Sequence, residues 1–148
     1  MKPEQLLSIK VSNYLQLQYP KTIFRFDLAS DQRLSIQQAT RNSRLHGRWS
    51  RGFVDLVIYA KKGNYGALFI ELKAAGCSPF KKDGTLRKNS HTETQDKFHE
   101  KLRDQGYKCE FAVGFDDTKK LIDEYLTLEE LLLPRDKLLI KKGSIHNG

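Results

Sequence analysis

Residues 53–73 read FVDLVIYA-KKGNYG-ALFIELK, and their pattern decides the fold. Two apolar runs, 53–60 and 67–73, flank a turn-rich connector with Gly63-Asn64 at its middle, the signature of an antiparallel hairpin. Each run is apolar on both faces: Val54, Leu56 and Ile58 alternate with Val57 and Tyr59, and Leu68, Ile70 and Leu72 alternate with Ala67 and Phe69. Strands of that kind need cover above and below, so the hairpin belongs at the centre of a sheet with layers on both sides.

Working outward, Pro3 suits a first helical turn, and Leu7, Val11, Tyr14 and Leu15 follow at helical spacing until Tyr19-Pro20, predicting a helix over 3–18. Residues 22–28 read as a short strand and 35–43 as a polar helix. Beyond the hairpin, a polar segment from 74 to 90 leads to a helix capped by Ser90 or Thr92, with Phe98 and Leu102 on its inner stripe and Gly106 at its end. A strand over 107–113 follows, then a helix capped by Asp116 or Asp117 and running through Leu126. Thr127-Leu128-Glu129-Glu130 matches a capping box that would open a last short helix before Pro134. With no internal repeat, this order predicts one α/β domain over 1–134, a central mixed sheet flanked by helices in αβββαβ-like order. The segment 135–148 reads as a basic, loosely ordered tail.

A chain of 148 residues is about one domain in size. No window approaches the roughly 18 consecutive apolar residues of a membrane span, and 1–10 lacks the apolar run of a signal peptide, so a cytoplasmic protein with no membrane partner is expected. Cys77 and Cys109, with no CxxC pair and no His pair at zinc spacing, read as reduced thiols. Lys and Arg outnumber Asp and Glu 26 to 18, a net +8 that suits a polyanion. The excess is concentrated: Arg33, Arg41, Arg44, Arg48 and Arg51 occur in a stretch without an acid, and Lys81, Lys82, Arg87 and Lys88 crowd one loop. These are solvated loop charges or phosphate contacts. As the latter, Arg44, Arg48, Arg51, Lys81, Lys82, Arg87 and Lys88 are the candidate nucleic-acid-binding residues. His46 and Trp49 could add hydrogen bonding and stacking, though Trp49 reads equally well as a hydrophobic anchor.

Charge inside the hairpin points to chemistry. Asp55, Glu71 and Lys73 interrupt strands that otherwise look buried, and an unpaired buried ion costs several kcal/mol. Glu71 and Lys73 share a face of one strand, with α-carbons about 6.6 Å apart. If 61–65 forms a five-residue loop, Ala60 faces Gly66 and Asp55 stands opposite Glu71 on the same side, roughly 5 Å away. A one-residue slip would throw it to the other face. Two carboxylates this close suit a divalent cation: Mg²⁺ takes one or two protein carboxylates along with waters and phosphate oxygens. The alternative is a structural charge cluster at a strand edge.

The same residues resemble a known family. Gly52-Phe53-Val54-Asp55 followed by Glu71-Leu72-Lys73 is similar to the PD-(D/E)XK signature, and the wider pattern, from about Glu4 to Tyr125, resembles its VRR-NUC branch, common in phages and bacteria. The resemblance implies a restriction-endonuclease-like core and a Mg²⁺- or Mn²⁺-dependent DNA endonuclease. Asp55 and Glu71 would hold metal, the Leu72 carbonyl would add a ligand, and Lys73 would position the water. It further implies that Gln95, opening the helix after the active-site strand, belongs to the catalytic set and that Glu4 completes the metal site. The residues by themselves leave both open, since Thr92-Glu93-Thr94-Gln95 also matches a capping box and Glu4 would complement a helix dipole. Val54 stands where the family has Pro, and the insert before Gln95 is long. Nothing resembles a base-reading module, so cutting without strong sequence specificity is expected. Selectivity for branched or flapped DNA, a homodimer and, for a phage-encoded chain, the host cytoplasm follow from the resemblance. The rival is a non-catalytic nucleic-acid-binding domain. His99, one turn after Gln95, is placed outside the catalytic set.

Overall fold

The computed structural model describes residues 1–27 and 33–129. Helix α1 (Pro3–Gln18) buries Leu7, Val11 and Leu15, a stripe of i, i+4 neighbours. Strand β1 (Ile23–Phe26) follows, then helix α2 (Ile36–His46) and a single 3₁₀ turn, Gly47–Trp49. Strands β2 (Leu56–Tyr59) and β3 (Leu68–Lys73), helix α3 (Ser90–Asp104), strand β4 (Lys108–Val113) and helix α4 (Gly114–Leu126) complete the order. The sheet runs β1-β2-β3-β4, antiparallel across the first two pairs and parallel between β3 and β4. The mixture has a local cause: a tight turn joins β2 to β3, whereas α3 carries the chain back across one face to start β4 parallel to β3. The expected α/β fold with a mixed central sheet, and the hairpin at its middle, is what forms.

The side-chain alternation sorts into two cores. Leu56, Ile58, Leu68, Ile70 and Leu72 pack with Leu7, Val11 and Leu15 of α1 and Ile122 and Tyr125 of α4. Val57, Ala67, Phe69 and Cys109 pack with Val54 and Phe98 on the opposite face, under α3. Tyr59 is the exception to the two-faced reading: it is 55% exposed, because α3 lies over β4 and its cover stops short of the end of β2. Helices α1 and α4 are further joined by Asp123, whose Oδ1 accepts from Tyr14 Oη at 2.5 Å and Tyr19 Oη at 2.6 Å and whose Oδ2 accepts from Lys119 Nζ at 2.9 Å. Burial works to raise this carboxyl, but the three donors outweigh it and hold its pKa below the ordinary value.

Several boundaries differ from the sequence reading, each for a local reason. The cap of α3 is Asn89, one residue before Ser90, with its side chain accepting from Thr92 N–H at 2.8 Å. Thr92 is buried in the first turn, so Thr92–Gln95 is not a capping box. Helix α4 starts at Gly114, and Asp117 lies inside it with Oδ2 accepting from Val113 N–H at 2.8 Å; neither Asp116 nor Asp117 occupies the cap position. Thr127 ends that helix, its hydroxyl donating to Asp123 O at 2.8 Å, and does not open another. The remainder of the expected last helix, and the tail over 135–148, lie outside the described residues. Helix α2 extends to His46, with Ser35 as its cap. Among the described residues no helix is long and apolar enough to cross a membrane.

Candidate active site

The hairpin register builds the site. Leu56 pairs with Ile70 and Val57 with Phe69, a ladder that places Asp55 opposite Glu71 as anticipated. The connector reaches this register by a different route from a five-residue loop. Lys62 and Tyr65 close a two-residue turn in which Gly63 takes φ 54°, and the one-residue offset is absorbed around Gly66, whose N–H turns to Gly106 O at 3.0 Å.

Asp55 immediately precedes β2. Its carbonyl accepts from Asp27 N–H at 2.8 Å, and its carboxylate Oδ2 accepts from Leu72 N–H at 2.8 Å, which aims the acid across at β3. Glu71 is 4% exposed. Its Oε1 accepts from Gln95 Nε2, while Oε2 is buried with no hydrogen-bond partner among the described residues. Lys73 Nζ donates to Gln95 Oε1 at 3.0 Å and lies 3.8 Å from Glu71 Oε1. The Gln95 amide thus spans the glutamate and the lysine, and α3 delivers it because Gln95 falls on the buried stripe with Phe98 and His99.

Burial above all, then the negative charge of Asp55, pushes the Glu71 carboxyl up to about 9; Lys73 partly offsets this, and the hydrogen bond with Asp55 and the charge of Glu4 add to it. At neutral pH the isolated protein therefore keeps a proton on Glu71. Losing it demands a compensating positive charge, which is the electrostatic condition a cation site presents.

These groups open into a cavity of about 540 Å³. The sheet contributes Asp55, Glu71, Leu72 and Lys73, α1 contributes Glu4 from its first turn, and α3 contributes Ser90, His91, Thr94 and Gln95. The segment Ser50, Arg51, Gly52 and Phe53 forms another wall, and Asp27 a further one. Glu4 is exposed at the rim, and no group of three or more His, Cys, Asp or Glu side chains among the described residues is gathered as a ready metal cluster. The donors that converge are two carboxylates, with the Leu72 backbone between them; the Leu72 side chain belongs to the core on the other face.

Sequence reasoning missed Asp27, Ser50, His91 and Thr94. Asp27 was the accessible one: it follows Phe26, which pairs with Leu56, so the β1–β2 register extended by one residue sets Asp27 beside Asp55. His99 is fully buried, its ring 4.4 Å from that of Phe111, with neither nitrogen partnered among the described residues. Burial, then the charges of Arg103 and Lys73, lowers its pKa to about 4, so it is a neutral packing group outside the cavity.

Of the basic residues, Arg51 lines the cavity. Arg44 on α2 and Arg48 in the 3₁₀ turn are exposed, as are Lys81 and Lys82 inside a small loop closed by the Phe80–Leu86 bridge and Arg87 and Lys88 just after it. Arg87 Nε is engaged across the base of that loop, donating to Ser78 O at 3.1 Å.

No family model matches this sequence, and no curated protein matches it. Among solved structures, a VRR_NUC domain protein superposes with a TM-score of 0.62 over 88% of this chain and 93% of the other, at 21% identity. With its mixed four-stranded sheet between helices, this chain shares the fold of that VRR_NUC domain protein.

Proposed function

We propose that this chain is a metal-dependent DNA endonuclease that hydrolyses phosphodiester bonds. The observation that carries the reading is the pairing of Asp55 with a buried Glu71 whose Oε2 has no hydrogen-bond partner among the described residues, next to a lysine held by Gln95. A purely structural role gives no reason for a second buried carboxyl beside Asp55 in a core strand, since an apolar residue there would be more stable.

The donor set fits a hard divalent cation: two carboxylates and one backbone carbonyl leave positions for waters and phosphate oxygens, as Mg²⁺ or Mn²⁺ prefers. When bound, such an ion supplies Lewis acidity toward the phosphate and makes a nucleophilic water accessible at neutral pH. Asp55 and Glu71 would hold it, with Leu72 O as a third ligand and Glu4 at the rim able to complete the set. Lys73 donates hydrogen bonds from Nζ, which orients the attacking water and offsets negative charge growing on the phosphate. Gln95 fixes both Lys73 and Glu71, so its work is positioning. Arg51 in the cavity wall and the exposed Arg44, Arg48, Lys81, Lys82, Arg87 and Lys88 meet phosphates without reading bases, so affinity falls steeply with salt. Preference for branched or flapped DNA and action as a homodimer belong to the same reading.

The test is incubation of supercoiled and branched DNA with Mg²⁺ or Mn²⁺, beside Glu71→Ala and Lys73→Ala. Metal-dependent nicking by the parent and its loss in both variants is the expected result. DNA binding at full strength without cleavage under either metal would leave a non-catalytic nucleic-acid-binding domain in its place.

A further inference from the structure

The only tryptophan of the chain stands beside the cavity, outside its wall. Trp49 ends the 3₁₀ turn, Phe53 follows four residues later, and Gly52 between them takes φ 75°, a bend that brings both rings back onto one anchor. That anchor is the buried Phe98 of α3: the Trp49 centroid lies 5.6 Å from it and the Phe53 centroid 5.4 Å, each tilted by 50°. Together with Leu45 and Leu102 they line an open groove. Trp49 is 41% exposed and Phe53 38%, so two aromatic rings rest on Phe98 on one side and face solvent on the other. A contiguous apolar patch of this kind marks a binding surface.

Charge decides what it binds. Arg48 sits 6.0 Å and Lys101 Nζ 5.5 Å from the Trp49 ring centroid, and residues 33–54, which run through this surface, contain no acid. A second copy of a +8 chain would bring like charges together here. A nucleic-acid strand brings phosphates for the cations and a π-face for each ring. Duplex DNA hides its base faces within the stack, so only unpaired bases can use such rings. Phe53 lines both this groove and the catalytic cavity, which makes the two surfaces continuous.

We propose that Trp49 and Phe53 form a stacking platform for unpaired nucleotides flanking the scissile phosphodiester, and that the preferred substrate therefore carries a single-stranded segment at the cut. The adjacency to a cut rests on the nuclease reading; the binding of unpaired bases does not, because it needs no metal. The full chain in EDTA is titrated with a short single-stranded oligodeoxythymidylate and with a blunt duplex of equal length, following Trp49 emission. Saturable quenching by the single strand and little by the duplex is expected, with Trp49→Ala weakening single-strand affinity about tenfold by anisotropy of a labelled oligonucleotide. Trp49→Phe keeps a ring and should retain most of the affinity; with Phe53→Leu, still read by Trp49 quenching, it carries the test if Trp49→Ala fails to fold. Binding of the single strand without quenching, equal quenching by duplex, no binding, or a Trp49 shielded from iodide by concentration-dependent self-association would each overturn the platform. Loss of metal-dependent cleavage with quenching intact would instead sink the nuclease reading and leave the platform standing.

Discussion

Replacing Glu71 by Gln should stabilise the protein in EDTA while abolishing its response to metal. The reason is the proton on Glu71. An exposed glutamate in the unfolded chain ionises at about 4.5, whereas in the folded chain burial and Asp55 hold this carboxyl at about 9. Between those values the folded state carries the extra proton, so stability is full below pH 4.5 and is lost as pH rises toward 9. Each pH unit in that window costs about 1.4 kcal/mol, which by pH 7 amounts to about 3 kcal/mol. Gln is nearly isosteric with the protonated acid, can present its carbonyl to Gln95 Nε2, and does not titrate. In EDTA the urea midpoint of Glu71→Gln should therefore rise relative to the parent by about 1 M or more between pH 4.5 and pH 7, for a slope of about 1–3 kcal/mol per molar. Added Mg²⁺ should raise the parent midpoint, because binding replaces the proton with a cation, and leave the variant unmoved. Circular dichroism on urea series with and without metal reads both. A variant-minus-parent difference that is the same at pH 4.5 and pH 7 would show that Glu71 is not held protonated, and the electrostatic argument for a cation site would fall with it.

Three further outcomes follow from the same geometry. Gln95→Leu leaves Glu71 and Lys73 without their shared amide and should reduce cleavage about 10- to 100-fold with the fold intact by circular dichroism, the usual cost of losing an orienting partner; a variant with parental activity would remove Gln95 from the site. His99, with its pKa lowered from 6.5 to about 4, contributes stability that is complete above pH 6.5 and lost as pH falls toward 4; His99→Leu should narrow the gap between its urea midpoints at pH 7 and pH 5 relative to the parent, and an unchanged gap would count against a buried neutral imidazole. Asn89→Ala should cost about 1 kcal/mol of unfolding free energy by removing the bond to Thr92 N–H, whereas Ser90→Ala should be close to neutral; the reverse ranking would return the cap to Ser90.

What the sequence determined was local or periodic. Alternation on both faces of 53–60 and 67–73 is a property of the strands themselves, so it placed the hairpin at the centre of the sheet, and the spacing of Glu71 and Lys73 put them on one face. The pairing of Asp55 with Glu71 was also legible, although the connector reaches that register by a tighter turn with an offset at Gly66, and a one-residue slip would have put Asp55 on the face away from Glu71. Caps were less legible: Asn89, Ser90 and Thr92 are all good cap residues, and which one serves depends on where the preceding loop delivers the chain to α3. The residues by themselves left Gln95 and Glu4 open, and the tertiary structure decided how distant groups meet the triad. Gln95 reaches Glu71 and Lys73 only because α3 crosses the face of β3, Asp27 arrives only through the β1–β2 ladder, and His99 disappears into the core because Phe111 of β4 lies beneath it. The orphaned Oε2 and the elevated pKa of Glu71 belong to that level too, since they arise from the depth of burial and from a carboxylate on the neighbouring strand, and neither is a property of the tripeptide Glu71-Leu72-Lys73.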